Sequence, residues 1–323
     1  VAAAFITGIA GFAGSHLAER LIARGDRVSG LVRGPGPFVS LAAIEPRTKL
    51  YRGDICDLDH LASALEDARP SEIYHLAGRA APRLSFDDPA GFFRTNALGT
   101  ATLLEAVRRA GLEGARVLVV SSAEVYGRSG GTVPIPEDAP LRPCSPYGAS
   151  KAAAEMAAIG AFEAYGLAVV RARAFNHTGA RQSPEFAPAA FARQIARAEA
   201  GLAPPEVRVG PLDGVRDLSH VKDVVAAYEA IIARGRPGEV YNVGSGRGVR
   251  IGDVLSRLLA RARVEIRLVA DPAIRRPADV PARIADIRRL ESEIGFSAKR
   301  SLDEALDALL DDWRRREAAS PRP

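Results

Sequence analysis

In 323 residues the sequence holds two cysteines, one methionine, one tryptophan and five histidines. Cys56 and Cys144 lie far apart without metal-ligand spacing, so they point to a reducing compartment and nothing more. His16, His60, His75, His177 and His220 show no such spacing either, and no metal centre is expected. No apolar run reaches the roughly 20 residues that span a bilayer, and no charged segment followed by an apolar one opens the chain. A cytoplasmic protein without membrane attachment is the expectation. Aromatics are scarce at 6%, and the basic residues behind the net charge of +5 are scattered rather than drawn into a stripe. That pattern argues against a nucleic-acid surface.

What is present is ordinary globular material, 47% hydrophobic and 26% charged, in a chain long enough for one or two domains. Strand-like runs alternate with helical periods: AAAFITG then HLAERLIARG, DRVSGLV, KLYRGD then LDHLASALEDA, SEIYHLAG, FRTNALGTATLLEAVRRAG, and RVLVVSS. Strands separated by about 10 to 15 helical residues predict βαβ units, hence an α/β fold with a doubly wound parallel sheet of Rossmann type.

At the first strand-to-helix junction stands TGIAGFAG, with Gly8, Gly11 and Gly14. There the backbone must turn sharply and approach a pyrophosphate, which the following helix N-terminus favours by charge; glycine permits both. The GxxGxxG spacing departs by one residue from the usual dinucleotide fingerprint, and in this it resembles the extended short-chain dehydrogenase/reductases. The second strand ends in GLVRG, with no acid to take a ribose hydroxyl and with Arg33 following, a choice that favours the 2′-phosphate of NADP(H). Phe12 and Ala13 within the glycine turn, and Leu76 and Ala77 after the fourth strand, complete the expected cofactor wall. The resemblance further implies that Asp54 and Ile55 hold the adenine and that Asn96 lies on the cofactor side.

PYGASK carries Tyr147 and Lys151, and a four-residue offset on a helix puts both on one face. A phenol of pKa ~10 that works near neutrality needs about three pH units of help, roughly what an ammonium ~4 Å away supplies. Lys151 is one of four lysines, with Lys49, Lys222 and Lys299, and its compact head can also reach the nicotinamide ribose. With Ser122, at the C-terminal end of a strand, these residues match the superfamily's triad. Serine orients the substrate oxygen, tyrosine transfers the proton and lysine tunes it.

After RARAFNHTGARQ the alternation weakens. The expected layout is a cofactor domain of residues 1–174 and 215–246, and a smaller, discontinuous α/β substrate domain of 175–214 and 247–323. The segments FNHTGARQ, FARQIARAE, VRDLSHVKDVVAAY, YNVGSGRGVRI and RRPADVP resemble GDP-4-keto-6-deoxy-mannose reductases, and several of them also resemble GDP-mannose 4,6-dehydratases. Carried over by position, Asn176, Arg216 and Arg276 bind the diphosphate or its surroundings, Asp279 the GDP ribose and Ser85 the sugar. A homodimer is expected from the same resemblance.

SSAEVYG sets the central question. Dehydration at C5 and C6 of a 4-keto sugar needs a base for the C5 proton and an acid for the leaving hydroxyl. Glu124 stands where dehydratases of this group keep the base, but the acid's position is Ala123, whose methyl group cannot donate a proton. Reduction of a C4 ketone needs only hydride and a proton from Tyr147. The expectation is therefore an NADPH-dependent reductase making a GDP-6-deoxyhexose such as GDP-rhamnose, with the dehydratase, or another nucleotide-sugar epimerase or dehydratase, as the alternative.

Overall fold

The computed structural model describes residues 2–128, 134–274 and 280–319. Its first half runs β1 (Ala3–Thr7), α1 (Phe12–Arg24), β2 (Arg27–Val32), β3 (Thr48–Arg52), α2 (Leu58–Ala68), β4 (Glu72–His75), α3 (Pro89–Phe93), α4 (Gly99–Arg109), β5 (Arg116–Ser122), α5 (Pro146–Tyr165) and β6 (Val169–Ala174). The second half adds β7 (Asn176–Thr178), α6 (Ala187–Glu199), β8 (Glu206–Val209), β9 (Val215–His220), α7 (Val221–Arg234) and β10 (Val240–Val243). It closes with β11 (Gly248–Arg250), α8 (Ile251–Leu259), β12 (Arg267–Ala270), β13 (Ala282–Arg283), α9 (Arg288–Ile294) and α10 (Leu302–Ala318).

Seven parallel strands pair in the order β3-β2-β1-β4-β5-β6-β10. This is the doubly wound Rossmann sheet the alternation predicts. Inner strands such as β1 (AAFIT) and the VLVV run of β5 are apolar on both sides because helices cover both faces, whereas β6 also carries Arg171 and Arg173. Leu17 and Leu21 of α1 share one core with Val224 and Ile231 of α7, while Leu61, Leu103 and Val107 of α2 and α4 share the other with Ala158 of α5. The strand order reverses between β1 and β4, and at such a switch point a crevice opens beyond the strands' C-terminal ends.

Two local features aim side chains at that crevice. Helix α5 begins where Ser145 Oγ accepts from the Gly148 amide at 3.1 Å with Pro146 next in line, and ends at Gly166, φ +66°. Tyr147 and Lys151 thus fall in its first two turns. Beneath them, Glu155 is fully buried and accepts from Arg173 Nη2 at 2.8 Å, with Arg171 and the Ser121 hydroxyl as further donors. A carboxylate this deep is tolerable because each oxygen is hydrogen-bonded.

The stretch from Val215 to Arg234 divides between layers. α7 packs on the main sheet, whereas β9 pairs with β7, β11 and β13 in a second sheet, and β8 with β12 in a third. Asp217 on β9 ties the second sheet together, accepting from the amides of Ser245 (2.8 Å), Gly246 (2.9 Å) and Ala285 (3.2 Å). Helices α6, α8 and α10 close a further core around Phe191, Leu258 and Trp313. Among the described residues no helix is long and apolar enough to cross a membrane.

Candidate active site

The turn after β1 fits a pyrophosphate by what it excludes. Gly8 has φ +72°, and a Cβ there would lie 2.8 Å from the Ala77 amide nitrogen. A Cβ on Gly14 would lie 2.2 Å from the Gly8 carbonyl oxygen, so only glycine lets α1 approach β1 this closely. Helix α1 starts at Phe12 with Gly11 before it and no side chain capping its first amides. Those amides and the helix dipole remain available to an anion.

A cavity of about 250 Å³ extends from this turn across the ends of β4 and β5. Gly8, Gly11, Phe12, Ala13, Gly14 and Leu76 line one end, and Ser122, Glu124, Tyr147, Lys151 and Asn176 the other. The structure therefore brings together residues from five elements or their connecting turns. Ala77 supports the glycine turn from behind, its amide donating to Thr7 Oγ1 at 3.2 Å.

Burial shapes the chemistry of this wall. It pushes the Tyr147 phenol up to about 12, with Glu124 adding to the rise and Ser122 and Arg283 opposing it. It draws the Lys151 ammonium down to about 8, against the attraction of Glu155. Lys151 Nζ donates to the Val120 carbonyl at 2.8 Å. Burial is the largest cause at both groups and moves each toward its neutral form, and the charges acting on the phenol are those of Glu124 and Arg283.

Further residues shape this wall. Arg283, on the two-residue β13, donates from Nη1 to Glu124 Oε1 at 2.6 Å. His177 stacks on Phe12, centroids 5.6 Å apart and planes 11° apart. Its Nδ1 lies 3.0 Å from the Phe175 carbonyl, which makes Nδ1 the donor; burial lowers the ring's pKa, so a neutral Nε2 acceptor remains. Gln182 braces this turn, donating to the His177 carbonyl at 2.8 Å and accepting from Thr178 at 2.6 Å. A Cβ on Gly78 would meet Asn96 Oδ1 at 2.9 Å, which leaves that loop backbone close to Lys151.

Among the described residues, the other expected ones do not line this cavity. Asn96 is buried; its Oδ1 accepts from the Arg79 amide at 2.8 Å, and its Nδ2 donates to the Arg79 carbonyl and to Ser150 Oγ at 3.1 and 2.9 Å. It fastens the loop after β4 to α5, acting through other residues. Ser85 is fully buried and donates to the Pro82 carbonyl at 2.6 Å. Arg33 is exposed at the end of β2; Asp54 is exposed and accepts from the Cys56 amide, and Ile55 is buried. Arg216 lines a second cavity of about 360 Å³ with Arg208, and the two cavities share Asn176, His177, Gln182 and Phe186. Arg276 and Asp279 fall outside the described residues. Among the described residues no group of three or more His, Cys, Asp or Glu side chains is placed to hold a metal.

Residues 5–309 match the GDP-mannose 4,6 dehydratase family. The chain belongs to this family. A GDP-6-deoxy-D-mannose reductase of Pseudomonas aeruginosa is 35% identical over 313 residues, 97% of this chain and 97% of that protein. The human GDP-mannose 4,6 dehydratase is 33% identical over 258 residues, 74% of this chain and 69% of its own length. Among solved structures, that of RMD from Pseudomonas aeruginosa complexed with NADPH matches with a TM-score of 0.84 at 33% identity, covering 98% of this chain and 100% of that one.

Proposed function

We propose that the protein is an NADPH-dependent reductase of the C4 ketone of GDP-4-keto-6-deoxy-D-mannose, yielding a GDP-6-deoxyhexose such as GDP-D-rhamnose. The observation that carries this reading is the pairing of one buried proton donor, Tyr147, with an alanine beside Glu124. A second proton donor for elimination is missing from that position. The names of the reductase and of the NADPH complex among the similar proteins support the same reading.

NADPH fits the residues present, because the glycine turn leaves no room for side chains and α1 offers uncapped amides. When bound, it supplies hydride. Ser122 and Tyr147 hold the ketone oxygen. As the carbonyl π electrons move onto oxygen, Tyr147 gives up its phenolic proton. A phenol raised to about 12 is still more acidic than an alcohol, so proton transfer to the developing alkoxide runs downhill. Charged Lys151 stabilises the phenolate left behind, which takes a new proton from solvent.

Residues 1–174 and 215–246 hold the cofactor in this reading, and 175–214 and 247–323 hold the nucleotide sugar, with β9 joining the two. Arg208 and Arg216 suit a diphosphate in the second cavity, beside Asn176; Arg276 and Asp279 belong to the same assignment, as does Arg33 for the 2′-phosphate. A cytoplasmic homodimer is part of the proposal. It is motivated by Leu98, Met156 and Tyr165, exposed by 53%, 52% and 60% on the flank of α4 and α5, and light scattering tests it.

A second reading, GDP-mannose 4,6-dehydratase, is favoured by Glu124 itself, a carboxylate in the cavity wall. NADPH absorbance separates the two. Oxidation with the keto sugar and none with GDP-mannose supports the reductase; turnover of GDP-mannose without net NADPH use supports the dehydratase.

A further inference from the structure

The reduction described above assigns no step to Arg283, yet this residue forms part of the cavity wall. Its side chain is 4% exposed, Nη1 donates to Glu124 Oε1 at 2.6 Å, and Nε is buried with no partner among the described residues. The strand that carries it is firmly held. Arg283 pairs with Arg216 of β9, the Ile284 carbonyl accepts from the Ile135 amide at 2.8 Å, and the Ala285 amide donates to buried Asp217. The guanidinium is thus set opposite Glu124 by backbone pairing on both sides.

A ketone at C4 acidifies the hydrogen on C5, because the electron pair left by C–H cleavage delocalises onto the carbonyl oxygen as an enolate. Groups that bind the ketone oxygen, as Ser122 and Tyr147 would, also stabilise that enolate. Only a positioned base is then needed, and Glu124 is the carboxylate at hand. To accept the C5 proton, however, Glu124 would become neutral and leave a buried guanidinium without its counter-charge, a state proteins avoid.

We infer that Arg283 is a specificity-determining residue: it holds Glu124 as an ion-paired carboxylate, and so confines the site to hydride chemistry at C4 while C5–H stays intact. This rests on the keto-sugar reading above. Its effect is exerted through Glu124, so its test reads bond cleavage at C5 rather than loss of turnover.

The experiment incubates GDP-4-keto-6-deoxy-mannose in D₂O with the protein and NADP⁺, where no reduction can occur, and follows deuterium at C5 by NMR. Wild type should stay near the uncatalysed background. R283Q should raise exchange by roughly 10²-fold, the size of effect a freed general base gives. R283Q/E124Q should return to background, and R283K, which restores a cation, should stay near wild type. Rapid exchange by wild type, or a folded R283Q with no Glu124-dependent rise, overturns the inference. If circular dichroism shows R283Q unfolded, R283M, which keeps the aliphatic stem, takes its place, and the wild-type arm stands regardless. Absence of NADPH oxidation with the keto sugar would count against the reductase reading, whereas these exchange arms judge Arg283.

Discussion

Tyr147 and Lys151, one helical turn apart on α5, are moved by burial in opposite directions, the phenol up to about 12 and the ammonium down to about 8. At neutral pH both groups therefore hold their protons. Lysine loses its charge just above neutrality.

The pH dependence of turnover follows from this. kcat/KM reports the free enzyme, so with NADPH and the keto sugar it should fall as pH rises through about 8, where Lys151 gives up its proton. K151M should lack that limb and lose turnover at every pH. A wild-type profile flat from pH 7 to 10 would contradict the role given to Lys151.

Stability should respond with the opposite sense. Lys151 is lowered in the fold from its ordinary 10.5 to about 8, so the cost of burying its charge is fully present below pH 8. Between 8 and 10.5 the unfolded chain binds more protons than the folded one, and stability rises with pH. K151M should stabilise the protein at pH 7 by on the order of 1–3 kcal/mol, with the gain shrinking as pH approaches 10.5. Denaturant midpoints across that range decide it.

Two tyrosines should separate chemistry from architecture. Tyr126 is fully buried, donating to Asn242 Oδ1 at 2.7 Å and accepting from Arg173 Nη1 at 2.9 Å. Y126F leaves those partners underbonded and should cost about 1–3 kcal/mol while sparing turnover. Y147F should do the reverse, with stability kept, NADPH binding kept and turnover collapsed. Loss of turnover only in Y126F would misplace the site.

The glycine turn gives a binding test. G14A puts a Cβ 2.2 Å from the Gly8 carbonyl oxygen, so α1 must move away from β1. NADPH affinity should drop at least ~10-fold, equal to ~1.4 kcal/mol, by fluorescence titration, and melting should come earlier. Wild-type affinity in this variant would exclude the turn as the pyrophosphate cradle.

The parts of this site that were readable from sequence share a cause. The sheet, the glycine turn and the Tyr147–Lys151 pair are encoded by neighbours in the chain, where period, spacing and turn chemistry carry the signal. Arg283 was not readable, because it meets Glu124 across 159 positions from a strand too short to leave a pattern. Asn96 is expected on the cofactor side from its place in the chain, but its hydrogen bonds to Arg79 and Ser150 could not be read there; spacing shows where a residue comes along the chain and not what its side chain meets. The raised phenol of Tyr147 is not legible in the sequence for a related reason. Charge proximity can be argued from a four-residue offset, but desolvation depends on everything packed around the pair. His177 could have been suspected, since it lies inside FNHTGARQ, yet its stacking on Phe12 depends on the fold.

The most direct measurement gives the protein GDP-4-keto-6-deoxy-mannose with NADPH deuterated at its transferable position and follows the product by NMR. Deuterium at C4 of a GDP-6-deoxyhexose, with one NADPH consumed per product, is the predicted result. No label at C4 and no NADPH consumed, together with conversion of GDP-mannose to the keto sugar by the same preparation, would contradict the account and make Glu124 the working base.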